Sequence, residues 1–363
     1  MKIKYPWFKP LLKNTEINAS VSKVIQNNFM TMGKKTSELE KKLSKYLRVK
    51  YVILTTSGTS ALMMAALALN LKRQDKVLCS NLTWVATINP IRIIGSKIIL
   101  IDTRKNSEQI DYDQLNASIK KNKPKLVFLV HLNGQVEYNK TFNYLRKKLK
   151  FKVIEDAAQS LFVRDKKKFS GTVFDIGCFS LSITKPLNMV YGGFCVTNNK
   201  KIADKLIATR NNGVNSQPEN SMLELSSNKG LNLKPSDLHS TVGIENLKLK
   251  NIIFKQITLI HQYYKENLKN TNLKFLKVDY KNSKPIYPQV IVKKRIKFYN
   301  FCKKRGIQIH FGIRSLNKVI TTKNKKNLKN SINISDKMVR LPCGPGYSLK
   351  EISKIIKVLN KYK

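Results

Sequence analysis

Apolar segments alternate with segments of helical periodicity between residues 50 and 200. Tyr51–Thr56 is a short, mainly apolar run that we interpret as a strand, and Ser60–Leu69, rich in Ala, Leu and Met, follows it as a buried helix. The alternation predicts an α/β layer with a largely parallel sheet, and the continuous apolar runs predict that both faces of the sheet are covered. Further strands are predicted at Lys76–Cys79, Lys97–Ile101, Leu126–His131, Lys152–Glu155 and Gly193–Thr197.

The pattern changes after about residue 245, where helices and strands no longer alternate regularly. We therefore predict a large domain over residues 1–245, including the N-terminal segment, and a smaller α+β domain over residues 246–363. The other predicted elements are helices at 34–48 and 200–210, strands around Ile286–Val292 and Ile307–Phe311, and a final amphipathic helix at Leu349–Asn360.

Composition excludes some classes of protein. The chain has 363 residues, and its hydrophobic fraction of 42% is enough to form a sizeable core. Its five cysteines are scattered without a CxxC pair, so we expect no disulfide framework and no zinc or other metal site. Free cysteines also fit a protein of the reducing cytoplasm. No apolar run follows the charged N-terminus, and Leu62–Leu69 is far shorter than the roughly 20 residues that span a bilayer. We expect no signal peptide and no membrane partner.

The formal net charge of +47 leaves two interpretations open. A basic surface is typical of proteins that bind nucleic acids, which keeps a nucleic-acid-binding or regulatory protein as an alternative function. However, lysine outnumbers arginine severalfold and is spread along the whole chain, whereas arginine is the better residue for bidentate recognition. We favour compositional drift and expect no specific nucleic-acid partner.

The segment Ser57-Gly58-Thr59-Ser60 lies between the first predicted strand and the helix that follows. Glycine permits a sharp turn there, and the free amides at a helix N-terminus bind anions such as phosphate. Ser and Thr are also common helix caps, and for this segment taken alone capping is the commoner explanation.

A carboxylate stands at the end of another predicted strand, in Glu155-Asp156-Ala-Ala-Gln159. Ligands of open α/β sheets collect at the carboxyl ends of the strands, where Asp156 could meet a cationic ring nitrogen. The alternative is that Asp156 caps a helix.

Lys185 follows Cys178-Phe-Ser180-Leu-Ser-Ile-Thr and precedes Gly192-Gly193, in apolar and hydroxyl surroundings unlike those of the other lysines. Burial lowers the pKa of a lysine and suits covalent chemistry at its amine, although a lone lysine is usually exposed. Trp84, just after a strand, could stack on a flat cofactor or belong to the core.

The order of these segments resembles that of cofactor contacts in fold-type I pyridoxal-phosphate enzymes. More narrowly, the chain resembles the DegT/StrS family of nucleotide-sugar aminotransferases nearly from end to end. The segments that carry the resemblance are Phe29–Gly33, Ser57–Leu62, Leu82–Thr87, His131–Gln135, Val153–Gln159, Cys178–Lys185, Gly192–Thr197, Arg210–Gly213, Leu231–Leu238 and Leu341–Gly346.

The resemblance implies the aspartate-aminotransferase fold, with a mixed, mainly parallel sheet, and pyridoxal 5'-phosphate as cofactor. It implies that Lys185 binds the cofactor covalently and then moves the proton, that Asp156 pairs with the ring nitrogen, and that Trp84 stacks on the ring. It places Gln159 near the phenolic oxygen, and Gly58, Thr59, Ser180 and the partner subunit's Asn232 at the phosphate. We add Thr31 and His310 as candidate substrate-binding residues.

The implied reaction passes an amino group from an amino acid, glutamate by family habit, to a nucleotide-linked keto-sugar in a cytoplasmic homodimer. The family also contains sugar dehydratases in which histidine replaces the lysine, and Lys185 argues against that branch. Dehydration of a sugar or another pyridoxal-phosphate reaction stays the alternative that keeps the same cofactor. Departures from the family pattern at Tyr191, Pro186 and Asn133, and around Asn232, concern the substrate side and leave the acceptor sugar open.

Overall fold

The computed structural model describes residues 3–214, 229–278, 283–320 and 327–363. A seven-stranded sheet forms its centre and a three-stranded sheet lies in the C-terminal part. The strands are β1 (Tyr51–Thr55), β2 (Lys76–Ser80), β3 (Lys97–Ile101), β4 (Leu126–Val130), β5 (Lys152–Asp156), β6 (Arg164–Asp165), β7 (Lys168–Phe169), β8 (Ile176–Ser180), β9 (Gly193–Thr197), β10 (Lys274–Phe275), β11 (Gln289–Ile291) and β12 (Met338–Arg340).

The helices cover both faces of the central sheet and flank the smaller one. They are α1 (Asn14–Gln26), α2 (Lys34–Leu47), α3 (Gly58–Ala68), α4 (Asn89–Ile94), α5 (Tyr112–Asn122), α6 (Lys140–Leu149), α7 (Lys200–Arg210), α8 (Asp237–Lys248), α9 (Lys250–Asn267), α10 (Arg295–Lys303), α11 (Lys329–Lys337) and α12 (Leu349–Leu359).

The central sheet has the strand order β1-β9-β8-β5-β4-β2-β3, and β9 alone runs opposite to the other six strands. Successive side chains of a strand point to opposite faces. Leu126 and Phe128 accordingly pack in the core beneath α3, whereas Val127 and Leu129 pack against the α5 and α6 side. Both faces of the sheet are therefore buried, as the apolar runs predict.

The small sheet is antiparallel in the order β10-β11-β12. The apolar face of α12 packs against it, and that helix begins with a capping box between Ser348 and Glu351. Tyr5 and Phe8, from the N-terminal segment, join the same core. The start of the chain thus packs on its C-terminal region.

The predicted strands of the central sheet are confirmed to within one residue at each end, and Lys97–Ile101 and Gly193–Thr197 have the predicted bounds. The strand predicted at Ile307–Phe311 is wrong. Ile307 bridges to Tyr5 and His310 to Arg340, so this segment meets two different partners with one bridge each and forms no continuous ladder.

The division into residues 1–245 and 246–363 stays a proposal. The seven-stranded sheet lies wholly in the first range and the three-stranded sheet in the second. Among the described helices, none combines the length and apolar character needed to cross a bilayer.

Candidate active site

A cavity of about 380 Å³ lies at the carboxyl ends of β1, β5 and β8. One wall, which we call the sheet wall, carries Gly58, Asp156, Ser180 and Lys185. The opposite wall, the C-terminal wall, carries Trp7, Tyr287, His310 and Arg340. The cavity is where the rule for open α/β sheets places a ligand.

The N-terminus of α3 opens onto the sheet wall. The Ser57 hydroxyl accepts a hydrogen bond from the Ser60 amide at 3.0 Å, so Ser57 caps the helix. A Cβ at Gly58 would lie 2.8 Å from Cβ of Ser180, a contact that only glycine avoids. Glycine thus brings the helix N-terminus directly against Ser180, and the two together form a site suited to a phosphate.

Asp156 ends β5 and is 6% exposed. Its carboxylate accepts hydrogen bonds from the Thr87 hydroxyl at 2.7 Å and the Ala158 amide at 3.2 Å. Burial raises the pKa of Asp156, while these hydrogen bonds and the charge of Lys185 act against the rise. Turns and not a helix follow Asp156, which excludes the helix-cap interpretation. A buried carboxylate in this position is suited to a cationic partner.

Lys185 lies half-buried in the loop between β8 and β9. Burial, and after it the charge of Arg340, lower the pKa of Lys185 from an ordinary 10.5 to about 8, although Asp156 opposes the shift. The Tyr287 hydroxyl donates a hydrogen bond to the Thr184 carbonyl at 3.0 Å and so fixes the loop from the opposite wall. Lys185 is not the exposed lysine of the alternative interpretation.

Thr59, Trp84 and Gln159 also line the cavity. The indole of Trp84 is 55% exposed, so Trp84 is not a core residue. The side-chain oxygen of Gln159 accepts a hydrogen bond from the Asn133 amide at 3.0 Å, which fixes its position beside the cavity.

Of the remaining candidates, only His310 lines the cavity. Burial, and then Arg340, lower the pKa of His310 to about 4, so its ring is neutral at pH 7. Thr31 is exposed, and its carbonyl accepts a hydrogen bond from the Asp237 amide. Asn232 is exposed too and bridges to Asn211 through the backbone. The roles of Thr31 and Asn232 stay predictions.

The sequence interpretation missed most of the C-terminal wall. The Arg340 guanidinium lies 4.2 Å from the centre of the Tyr287 ring, and the Trp7 ring lies 5.6 Å from the same ring. No motif marks these residues. One signal was available, since Arg340 is a charged residue inside the apolar run Met338–Leu341.

A buried network beneath the sheet wall was also missed. Glu155 accepts hydrogen bonds from the Tyr138 hydroxyl at 2.6 Å and the Gly171 amide at 2.9 Å, and its carboxylate lies 2.9 Å from Nε2 of His131. Burial acts to raise the pKa of Glu155, but these partners lower it overall. The network fixes the ring of His131, which lines the cavity.

Asn133 connects the two walls. Its side-chain oxygen accepts hydrogen bonds from the amides of Ile286 and Tyr287 at 3.1 and 2.9 Å. Its side-chain nitrogen donates to the side-chain oxygen of Gln289 at 2.8 Å. Its backbone has a φ of 48°, a left-handed conformation that asparagine adopts more readily than most residues. This departure from the family pattern is therefore a structural junction.

The cavity fits pyridoxal phosphate. The cofactor needs an anion site for its phosphate, a carboxylate for its ring nitrogen, an amine for its aldehyde and a flat partner for its ring. The α3 N-terminus, Asp156, Lys185 and Trp84 line one cavity and match these needs in turn. When bound there, the ring supplies an electron sink for reactions at amino groups. Fold and site together define a pyridoxal-phosphate enzyme of fold type I.

Comparison with known proteins gives the family. The profile of the DegT/DnrJ/EryC1/StrS aminotransferase family matches residues 12–360, and the chain belongs to this family. It is therefore an aminotransferase that uses pyridoxal phosphate.

Two enzymes and one solved structure illustrate the relationship. The chain is 32% identical to a UDP-4-amino-4,6-dideoxy-N-acetyl-beta-L-altrosamine transaminase of Campylobacter jejuni over 83% of this chain and 81% of the relative. It is 26% identical to a dTDP-3-amino-3,6-dideoxy-alpha-D-galactopyranose transaminase of Aneurinibacillus thermoaerophilus over 96% and 95%. Its fold matches that of Helicobacter pylori PseC, an aminotransferase of pseudoaminic acid biosynthesis, with a TM-score of 0.86, 20% identity and 98% of each chain covered.

The side chains that could bind a metal ion or form a disulfide were also located. All five cysteines are buried and free. Within the ranges that the structure describes, no group of three or more His, Cys, Asp or Glu side chains is placed to hold a metal ion.

Proposed function

We propose that this enzyme transfers the amino group of an amino acid, glutamate, to a keto-deoxysugar carried on a nucleotide. The product would enter a surface polysaccharide, another glycan or an antibiotic sugar. The two relatives named above support the acceptor class, because both are named as transaminases of nucleotide-linked aminosugars.

The observation that carries the proposal is that the Lys185 amine and the Asp156 carboxylate line the same cavity. With a pKa near 8, the amine is neutral in a useful fraction of molecules near neutral pH and can accept a proton. Asp156 holds positive charge on the group it faces, and Lys185 returns the proton at the reacting carbon. Lysine at this position favours amino transfer over the dehydration that histidine-bearing members carry out.

We further propose a cytoplasmic homodimer in which the partner's Asn232 completes the cofactor-phosphate site. In its own chain Asn232 is exposed and lies outside the cavity, so it is free to act across an interface. The sheet wall supplies its own donors at Gly58 and Ser180, and an added amide would couple cofactor binding to dimer formation.

A substrate panel tests the reaction. Purified enzyme is incubated with glutamate and a set of nucleotide-linked 3-keto and 4-keto sugars, and products are identified by mass spectrometry. We expect one sugar to gain an amino group in place of its carbonyl oxygen. Dehydrated products without amino transfer would move the enzyme to the dehydratase branch.

Mixed dimers test the shared site. Lys185→Ala subunits are mixed with Asn232→Ala subunits under conditions of exchange, and activity is compared with that of each parent. If Asn232 acts across the interface, one site of the mixed dimer carries both defects and the other carries neither, so activity rises. No rise despite proven exchange, with Asn232→Ala impaired alone, would place Asn232 in its own chain's site.

A further inference from the structure

A second cavity lies outside the active site, between α9 and the hairpin formed by β6 and β7. Its volume of about 810 Å³ is in the range of cavities that bind small molecules. Tyr46, near the end of α2, and residues 283–285 also line it. None of the residues that line this second cavity lines the active-site cavity. The second cavity is therefore a separate candidate site.

Cationic side chains surround the second cavity. The four that line it are Arg164, Lys166, Lys250 and Lys284. No acidic side chain lines it, and in the ranges that the structure describes no ion pair joins any of the four to an acid. Asp165, which lies between two of them in the chain, accepts a hydrogen bond from the Tyr138 amide at 3.1 Å and does not line the cavity. The unbalanced positive charge favours an anionic ligand.

Aromatic rings form another part of the same lining. The centre of the Phe162 ring lies 6.0 Å from that of Tyr46 and 6.0 Å from that of Phe254, and all three side chains line the second cavity. The amine of Lys250 lies 4.7 Å from the centre of the Tyr46 ring, so a positive charge adjoins the rings. Flat apolar surface beside a cation suits a ligand that carries both a flat ring and an anionic group.

Phe162 has a backbone conformation that glycine adopts far more readily. Its φ is 62°, in the left-handed region, where a bulky side chain is an outlier. Such strain persists only where the surroundings impose it, and it is common at ligand sites. Compositional drift towards lysine explains a basic surface but not a phenylalanine at this position. The advantage of phenylalanine here must come from its ring, which lines the second cavity.

A nucleotide combines the two groups that this lining recognises. Its base offers a flat ring to the aromatic side chains, and stacking of a base on an aromatic ring tolerates any base. Its phosphates offer negative charge to Lys250 and the three other cations. An inorganic anion would leave the rings unused, and an uncharged aromatic compound would leave the cations unused.

We propose that the second cavity binds a nucleoside diphosphate, with its base against Phe162 and its phosphates at Lys250 and the neighbouring cations. This site is distinct from the active site and does not depend on the proposed amino transfer. Its test therefore stands whether or not the acceptor of the reaction is a nucleotide-linked sugar.

The test uses cofactor-loaded enzyme with UDP as the probe, and uridine and pyrophosphate as its two halves. Hydrogen–deuterium exchange in the β6–β7 hairpin and in α9 reports ligand bound in the second cavity. Both tryptophans of the chain, Trp7 and Trp84, line the active-site cavity, so quenching of their fluorescence reports UDP bound there instead. The apparent affinity is the UDP concentration that gives half of the full protection from exchange.

Two variants and two matched controls are compared. Lys250→Gln removes a cation, and Phe162→Gly removes a ring while it relieves the left-handed strain. Lys255→Gln is the control for the first, because Lys255 is exposed on the same helix and lies outside the cavity. Lys150→Gly is the control for the second, because Lys150 is exposed with a φ of 54° elsewhere in the chain. Thermal unfolding is measured for each protein.

We expect UDP to protect the hairpin and α9 of the wild type. Lys250→Gln and Phe162→Gly should each weaken the apparent affinity roughly ten- to hundredfold, as the loss of a charged hydrogen bond or of one stacked base implies. Both controls should match the wild type, and uridine and pyrophosphate should each bind much more weakly than UDP. If Phe162→Gly does not fold, Phe162→Leu, which keeps an apolar side chain without a ring, takes its place.

Four outcomes overturn the proposal. The first is that UDP protects neither the hairpin nor α9, whether or not it quenches the tryptophans. The second is unchanged affinity in both folded variants. The third is that pyrophosphate protects these segments as strongly as UDP, which would leave a general anion site. The fourth is that a single-stranded oligonucleotide protects them far more strongly than UDP, which would make the cavity part of a nucleic-acid surface.

Discussion

The two walls of the cavity are built differently. The sheet wall is assembled from strand ends and one helix N-terminus, and its buried carboxylate has a partner close by, as Asp156 has in Thr87. The C-terminal wall is assembled from isolated residues of distant segments, Trp7, Tyr287, His310 and Arg340. Nε and one Nη of Arg340 have no hydrogen-bond partner among the residues that the structure describes. A wall whose polar groups already have hydrogen-bond partners suits a cofactor that stays bound. A wall with unpaired donors suits substrates that bind and are released.

The largest effect is expected on the sheet wall, at Lys185. Lys185→Ala should abolish amino transfer, because no other amine is placed to accept and return the proton among the described residues that line the cavity. Borohydride reduction of the wild type followed by peptide mapping should place the cofactor on Lys185. An adduct on a different lysine would refute this assignment, and retained turnover in Lys185→Ala would remove the basis for separating the two walls.

Asp156→Ala should give the next largest effect. Removing one member of a buried charge pair costs about 3–5 kcal/mol, so cofactor affinity and turnover should both fall. Asp111→Ala is the matched control, since Asp111 accepts backbone hydrogen bonds at the start of α5, away from the cavity. It should lower stability slightly and leave cofactor affinity unchanged. If the two variants behaved alike, Asp156 would have only a structural role.

Replacing Asn133 should show whether the side-chain hydrogen bonds that link the two walls are needed for substrate binding. Asn133→Gly keeps the left-handed backbone accessible but removes the side-chain hydrogen bonds, at about 1–3 kcal/mol for each buried group left unpaired. We expect lower thermal stability and a raised KM for the sugar, with a smaller change in cofactor affinity. Asn106→Gly is the control, because Asn106 has a similar φ of 58° in an exposed turn. Equal effects of both changes would mean that Asn133 does not connect the walls.

A smaller effect is expected on the pKa of Lys185 when Arg340 is replaced. In cofactor-free protein the amine of Lys185 should be labelled by an acylating reagent increasingly as the pH rises through about 8, well below the range of an ordinary lysine. The charge of Arg340 contributes to this low pKa, so Arg340→Gln should move the labelling profile to higher pH. A profile that does not move would mean that burial alone sets the pKa of Lys185.

The smallest effect is expected outside both walls, on the lysine-rich surface. We expect only weak DNA binding without sequence preference, falling steeply as salt is added. Fluorescence anisotropy with two unrelated duplexes at several salt concentrations measures it. Tight, sequence-specific binding at physiological salt would contradict the interpretation of the charge as compositional drift.

The sequence predicted the sheet wall well because its residues occur in short contiguous segments at strand ends. Asp156 directly ends a strand, and Gly58 directly starts a helix. Except for His310, the C-terminal wall escaped prediction because its members are single residues far apart in the chain, brought together only by packing. Helices α5 and α6 were not predicted either, although each buries an apolar face, with Leu115 and Ile119 in α5 and Phe142 and Leu145 in α6. Asn133 looked like a simple departure from a pattern, and only the structure shows the hydrogen bonds it makes.

The pairing of the first residues with the C-terminal region has a consequence for synthesis on the ribosome. Trp7 lies beside Tyr287 and His310, and its backbone donates to the Gln308 side chain at 3.1 Å and accepts from the Cys343 amide at 2.9 Å. Its neighbours Tyr5 and Phe8 bridge to Ile307 and Cys343. Those two residues are translated long after the N-terminal segment that they contact, near the end of the chain. The residues of the sheet wall are all translated by Lys185, whereas the C-terminal wall is complete only after Arg340 has been translated. A chain that ends before Ile307 would therefore contain the residues of the sheet wall and lack His310 and Arg340 of the C-terminal wall.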